Sequence, residues 1–155
     1  MEKKDIRYVL IIQCENARKR CSGFACSQTF FERKAFFEGY PRDIPYIAVS
    51  CGGCENPCAL ATVDHFSRKL GKKTDITKNK VAVHLSSCIV TENHHHDRCP
   101  HAGSIKETLK RMGYENITEG TYVSAASEKK RENGIYKRYS DKLVIIDAKN
   151  QRYII

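Results

Sequence analysis

Three apolar runs, Ile6 to Ile12, Ile44 to Val49 and Val81 to Leu85, are bounded by polar or turn residues and read as buried strands. Their near-continuous apolar character predicts parallel strands covered on both faces. Each run leads through a loop into a stretch with helical spacing. The first is followed by Phe24 to Phe37, where Phe24/Phe31 and Phe30/Phe37 recur at heptad distance. The second is followed by Ala59 to Leu70, with Leu60, Val63, Phe66 and Leu70 on one stripe and Gly71 as a stop. After the third, Ser104 and Glu107 have capping-box spacing ahead of Leu109 and Met112, and Gly113 ends the helix. Ile117 to Ser124 reads as a fourth strand and Ala125 to Asn133 as a short helix. Ile135 to Tyr139, Leu143 to Ile146 and Tyr153 to Ile155 then read as short strands separated by turn signals. The pattern predicts an α/β fold: three layers around a mostly parallel central sheet, of the Rossmann-like or flavodoxin-like kind, with a small C-terminal antiparallel addition.

The 155 residues suit a single domain, 1–155, with no linker or low-complexity tract to divide it. No apolar run approaches the ~18–20 residues of a membrane span, and Tyr8 to Ile12 is too short for a signal-peptide core. The expectation is a soluble, cytoplasmic protein with no membrane partner. The formal charge of +9 gathers in two places, around Lys72, Lys73, Lys78 and Lys80 and over Lys129, Lys130, Arg131, Lys137 and Arg138. No nucleic-acid motif accompanies it, so a solvated basic surface explains the charge better than nucleic-acid binding does.

Sulfur changes the picture. The chain has eight Cys, six His and no Trp. Without an export signal, that cysteine count points to metal ligands or redox thiols rather than to disulfides. Cys14, Cys51 and Cys88 fall just beyond the carboxyl ends of the three strands, and parallel strands put those ends on one edge of the sheet. In open α/β sheets that edge is where ligands bind. Cys21 and Cys26 follow Cys14, Cys54 and Cys58 follow Cys51, and Cys99 follows Cys88, so all eight belong to three strand–helix connections on one face. Scattered core cysteines acting as small apolar residues would not favour that edge.

Cys51-Gly52-Gly53-Cys54 has the spacing with which two thiolates grip one tetrahedral ion, and its glycines allow the tight turn. The same spacing at a helix start also suits a redox dithiol. With so many thiols on the same face, metal is the first reading, zinc before an iron–sulfur cluster. The expected ligands are Cys14, Cys51, Cys54 and Cys88, with Cys99, Cys21 and Cys26 as substitutes or a second set. Cys58, His94, His95, His96 and His101 are weaker candidates. His84 lies inside a strand as either a buried, hydrogen-bonded histidine or a partner to a ligand. The second reading is a thiol/disulfide redox enzyme, in which Cys51 attacks, Cys54 resolves and a redox partner supplies electrons. An enzyme built on this site is a thiol- or metal-dependent oxidoreductase. The third reading, a metal- or redox-sensing nucleic-acid-binding regulator, rests only on charge. No nucleophile elbow, phosphate-binding loop or dinucleotide fingerprint is present.

These residues resemble the CGGC-domain family, a small prokaryotic group proposed to bind metal. The matching features are Cys14, the pair Cys21 and Cys26, Phe36-Phe37-Glu38-Gly39-Tyr40, the signature Cys51 to Cys54, His84-Leu85-Ser86-Ser87-Cys88-Ile89 and Cys99-Pro100. They cover roughly residues 6 to 123, leaving about 124–155 as a basic extension. The resemblance implies metal binding. Two positions depart from the family pattern: Glu55-Asn56-Pro57-Cys58 replaces a Pro-Gly continuation, and Gly120-Thr121-Tyr122 replaces Gly-Thr-His. The first leaves Cys58 unsupported by the resemblance, and the second removes a ligand type.

Overall fold

A computed structural model describes residues 2–55 and 60–137, together with the strand residues 145–146 and 153–154. Four parallel strands, β1 (Tyr8–Gln13), β2 (Tyr46–Ser50), β3 (Val81–Leu85) and β4 (Asn116–Glu119), form one sheet in the order β2-β1-β3-β4. Alternate side chains of β1 and β3 enter opposite layers, as strand geometry requires. Leu10, Ile12, Val81, Val83 and Leu85 meet α3 (Ala61–Lys73) through Val63, Phe66 and Leu70, and α5 (Ala102–Arg111) through Ile105 and Leu109. On the other face Val9, Ile11 and Ala82 pack with Phe30 of α2 (Phe24–Glu32), Phe37 and Tyr40. The sheet is therefore buried between two helical layers, which is why its strands read as apolar throughout.

Short helices follow two of the strands: α1 (Glu15–Arg18) after β1 and α4 (Ser87–Val90) after β3. A sixth helix, α6 (Ala125–Glu132), is capped by Ser124, whose hydroxyl accepts from the Ser127 N–H.

Several expectations are corrected. The helix expected to reach Phe37 stops at Glu32, because Arg33 and Ala35 take left-handed conformations and Ala35–Phe37 forms a 3₁₀ turn. The Arg33 guanidinium holds that break by donating to the carbonyls of Pro41 and Arg42. The third long helix starts at Ala102, so Ser104 sits inside its first turn and caps nothing. The fourth strand ends at Glu119, short of Ser124. Ile135 and Tyr136 form a bend rather than a strand. Of the expected C-terminal addition, the described part is a two-residue antiparallel pairing of β5 (Ile145–Ile146) with β6 (Tyr153–Ile154), separate from the main sheet. Its residues 138–144, 147–152 and 155, and Cys58, lie outside the described residues.

Gly120, directly after β4, cannot carry a side chain. Its φ is +123°, and a Cβ there would lie 2.5 Å from Cε2 of the Phe36 ring. Gly120→Ala is expected to destabilise the protein by roughly 3 kcal/mol, from backbone strain plus overpacking. Urea denaturation checks this; an unchanged midpoint would show that the Phe36 ring moves aside at no cost.

Candidate functional site

The strand register decides which cysteines meet. Gln13 is paired with Ser50 across β1 and β2, and the Cys51 N–H donates to the Gln13 carbonyl at 2.8 Å. Cys14 and Cys51, the next residue on each chain segment, are therefore side by side, both buried. The interaction between the two thiols, with the N–H groups of Gly53 and Glu15, lowers the Cys51 pKa and favours its thiolate. The same interaction, assisted by burial, raises the Cys14 pKa in return. The pair therefore favours one thiolate, on Cys51, beside one thiol, on Cys14.

The other described thiols extend from this pair in both directions. Cys99, pushed up by burial, feels the charge of Cys54 and Cys51. In the opposite direction, the Cys14 N–H donates to Cys88 Sγ at 3.3 Å, and Ser86 Oγ lies 2.9 Å from the same sulfur. Burial raises Cys88 and Cys26, and Cys21 lies within electrostatic reach of both. Cys26 Sγ is 3.2 Å from Thr121 Oγ1. The seven described cysteines thus gather along the sheet edge, with Cys54 and Cys99 on one side of the Cys51 and Cys14 pair and Cys88, Cys26 and Cys21 on the other.

The CGGC segment itself is a loop. Helix α3 begins only at Ala61, so the motif receives no helix dipole, contrary to the helix-start expectation. Gly52 and Gly53 have φ of +91° and +92°. These left-handed turns project Cys54 outward, where Asn16 Nδ2 approaches its sulfur at 3.6 Å. The Gly52 N–H is anchored on Ser50 Oγ at 2.9 Å, and Ser50 in turn donates to the Glu15 carboxylate.

The histidines separate into different roles. His96 Nε2 lies 3.1 Å from Cys14 Sγ, beside the thiol pair. The His94 and His95 rings lie against each other, and Arg20 holds His95 by donating to its Nδ1 at 3.1 Å. His101 precedes α5 as its N-cap, and His65 is exposed on α3. His84 is fully buried on β3 and bonded through both ring nitrogens, to Tyr40 Oη and the Gly120 carbonyl, so it is the buried, hydrogen-bonded histidine of the two alternatives. No group of three or more His, Cys, Asp or Glu among the described residues is arranged to hold a metal ion. The sulfurs take their hydrogen bonds from backbone N–H groups and from Asn16, Ser86, Thr121 and His96 instead.

Sequence reasoning missed the cavity beside these thiols. A cleft of about 300 Å³ opens between the loops after β1 and β3, and Cys21, Cys26 and Cys88 line it with Arg18, Arg20 and Tyr122. The clustering of cysteines pointed to this edge, but no residue pattern indicated a hollow there.

Fold and site together define a parallel α/β domain with a group of cysteines on the carboxyl edge of its sheet. The chain matches the CGGC domain over residues 8–122, most of its length, and belongs to that family. No curated protein and no solved structure matches it. No described helix is long and apolar enough to cross a membrane.

Proposed function

We propose that the protein binds a thiophilic metal ion at the carboxyl edge of its sheet, zinc in preference to an iron–sulfur cluster, through Cys14, Cys51, Cys54 and Cys99. The observation that carries this reading is the Cys14–Cys51 pair. One of its sulfurs is already favoured as thiolate, and a cation would replace the proton on the other while relieving the repulsion among neighbouring thiols. Cys54 supports it as an exposed thiol on a two-glycine turn, since metal capture asks that ligand to swing rather than the core to move. Cys88, assigned to the set from sequence, is better suited to a neighbouring role, because it lines the cleft and its sulfur takes its contacts from Ser86 and the Cys14 N–H. His96 is the nearest nitrogen donor for a mixed set. When bound, zinc supplies a fixed positive charge and a Lewis acid beside the cleft. Protein purified without oxygen is expected to carry stoichiometric zinc and to be colourless; a brown protein with visible charge-transfer absorption would be the cluster form. Metal-free folded protein with every thiol titratable would overturn the proposal.

The same pair favours a second reading, thiol/disulfide exchange, with a changed partner. Cys51 thiolate attacks one sulfur of a small disulfide and expels a thiolate. Cys14 then attacks the Cys51 sulfur, expels the second thiolate, and leaves a Cys14–Cys51 bond, the two electrons having passed to the substrate. Cys54 is placed less well to resolve, because its sulfur turns to Asn16 while Cys51 turns to Cys14. Peptide mapping after mild oxidation separates the two chemistries. A reversible Cys14–Cys51 linkage supports exchange, whereas alkylation resistance lifted only by a chelator supports metal.

A further inference from the structure

The cleft lies at the one point where the sheet reverses direction. The chain leaves β1 towards β2 on one side and leaves β3 towards β4 on the other, so the loops after β1 and β3 diverge and open a crevice between them. Ligands of open α/β sheets bind at such switch points. The cleft is walled by residues 13–26 from the first loop, 87–95 from the second, and 122–131 from the segment after β4.

Its charge is one-sided. Arg18, Arg20 and Arg131 line it and no carboxylate does, among the described residues. Arg131 is paired with Glu128. Arg18 makes no ion pair among the described residues, and Arg20 spends its donors on a neutral imidazole nitrogen and the His95 carbonyl at 3.1 and 2.9 Å. Two guanidinium groups at the mouth thus lack a carboxylate partner, over a lining in which Ala17, Ala25, Cys26 and the Tyr122 ring supply apolar surface. A guanidinium in that position recognises carboxylate, sulfonate or phosphate oxygens. At about 300 Å³ the space is at the small end of ligand pockets and suits a molecule of one or two rings.

We propose that this cleft binds a small organic anion, with its charged group between Arg18 and Arg20 and its apolar body against Ala17, Ala25, Cys26 and Tyr122. The bound molecule would lie beside Cys88, whose sulfur connects the cleft to the Cys14–Cys51 pair. This goes beyond metal binding and does not depend on it. Neither guanidinium touches that pair, and the anion is recognised whether or not an ion is held there.

Three probes of one shape test it: 1-naphthoate, the neutral 1-naphthamide and the cationic 1-naphthylmethylammonium. They are titrated calorimetrically into the reduced protein as purified, and again after chelator treatment. 1-Naphthoate is expected to bind at least tenfold more tightly than the amide in both preparations, and the ammonium not at all. In Arg18→Gln/Arg20→Gln that preference is lost while the melting temperature is kept, since both side chains are exposed. Location is read independently by alkylation. Naphthoate should slow labelling of Cys21, which is exposed and lines the cleft, and leave the exposed Cys54 unaffected. Equal affinity for acid and amide, absence of binding, or slowing of Cys54 in place of Cys21 would overturn the proposal. Loss of anion binding only in the chelator-treated protein would also overturn it, by placing the anion on the metal.

Discussion

The double variant Cys14→Ser/Cys51→Ser is expected to lose all bound metal while still folding and melting cooperatively. Small metal modules unfold without their ion because their cores are too small to stand alone. The described residues of this chain form two cores, one on each side of the sheet. The larger draws on β1, β3, α3 and α5, and the smaller on α2, Phe37 and Tyr40. Cys14 and Cys51 sit at the upper margin of the larger one, 7% and 8% exposed. Exchanging each buried thiol for a hydroxyl costs on the order of 1–2 kcal/mol, partly offset because a hydroxyl can still accept from the Glu15 N–H now bonded to Cys51. For a domain of this size such a loss lowers the melting temperature by roughly 5–10 °C without dividing the transition. Metal content by elemental analysis and thermal melts followed by circular dichroism read the two halves separately. Helical signal lost together with the metal would make the site a structural staple, and any catalytic role for it would fall.

Much of the fold is legible from the strands, because each is buried on both faces and writes an unbroken apolar run. Cys14, Cys51 and Cys88 follow those runs at once, so their place on the carboxyl edge can be read from the sequence. Strand order cannot, and it decides the chemistry. Only the pairing of Gln13 with Ser50 makes Cys14, rather than Cys54, the neighbour of Cys51. The CGGC spacing looks like a two-thiol grip, but Gly52 and Gly53 both turn left-handed and send Cys54 away from the pair. The broken second helix was hidden for a similar reason. The spacing of Phe24, Phe30, Phe31 and Phe37 continues smoothly through Arg33, whereas the break is fixed by carbonyls of Pro41 and Arg42, beyond the apolar pattern that predicts the helix. Nothing in the sequence singles out Arg18 and Arg20, which gain their place only where the loops after β1 and β3 diverge around them.

Acidification from pH 7 to pH 5 is expected to destabilise the protein through two groups held below their ordinary pKa, the Cys51 thiol and, separable from it by mutation, His84. Its ring is fully buried on β3 and packed against Phe37 at 4.6 Å between centroids. The Gly120 carbonyl, 2.8 Å from Nδ1, can only accept, so Nδ1 carries the proton. Nε2 is then the acceptor for Tyr40 Oη, also at 2.8 Å. Both positions are satisfied by the neutral ring. A second proton would put a charge in the smaller core with Lys3 nearby, and burial, more than Lys3, pushes the His84 pKa down to about 4. The folded pKa is thus below the ordinary value of 6.5, so the unfolded chain binds the proton more readily than the folded one. The stabilisation is complete above about pH 6.5 and is withdrawn as pH falls towards 4, to a limit of about 3 kcal/mol for this shift. Carboxylates add their own losses below pH 5, which is why the comparison stops there. His84→Gln removes this titration and is expected to melt lower at pH 7 yet to lose less between pH 7 and pH 5 than the unaltered protein, which falls by several degrees; the loss that remains in the variant belongs to the Cys51 thiolate. Parallel pH profiles for the two would remove His84 from this role. The effect also reaches the site, because the carbonyl that His84 holds belongs to Gly120, and the next residue, Thr121, carries the hydroxyl that meets Cys26. Protonation at His84 loosens the segment after β4 that walls the cleft, so alkylation of Cys26 should accelerate over the same pH window once corrected for thiolate content, and it should not in His84→Gln.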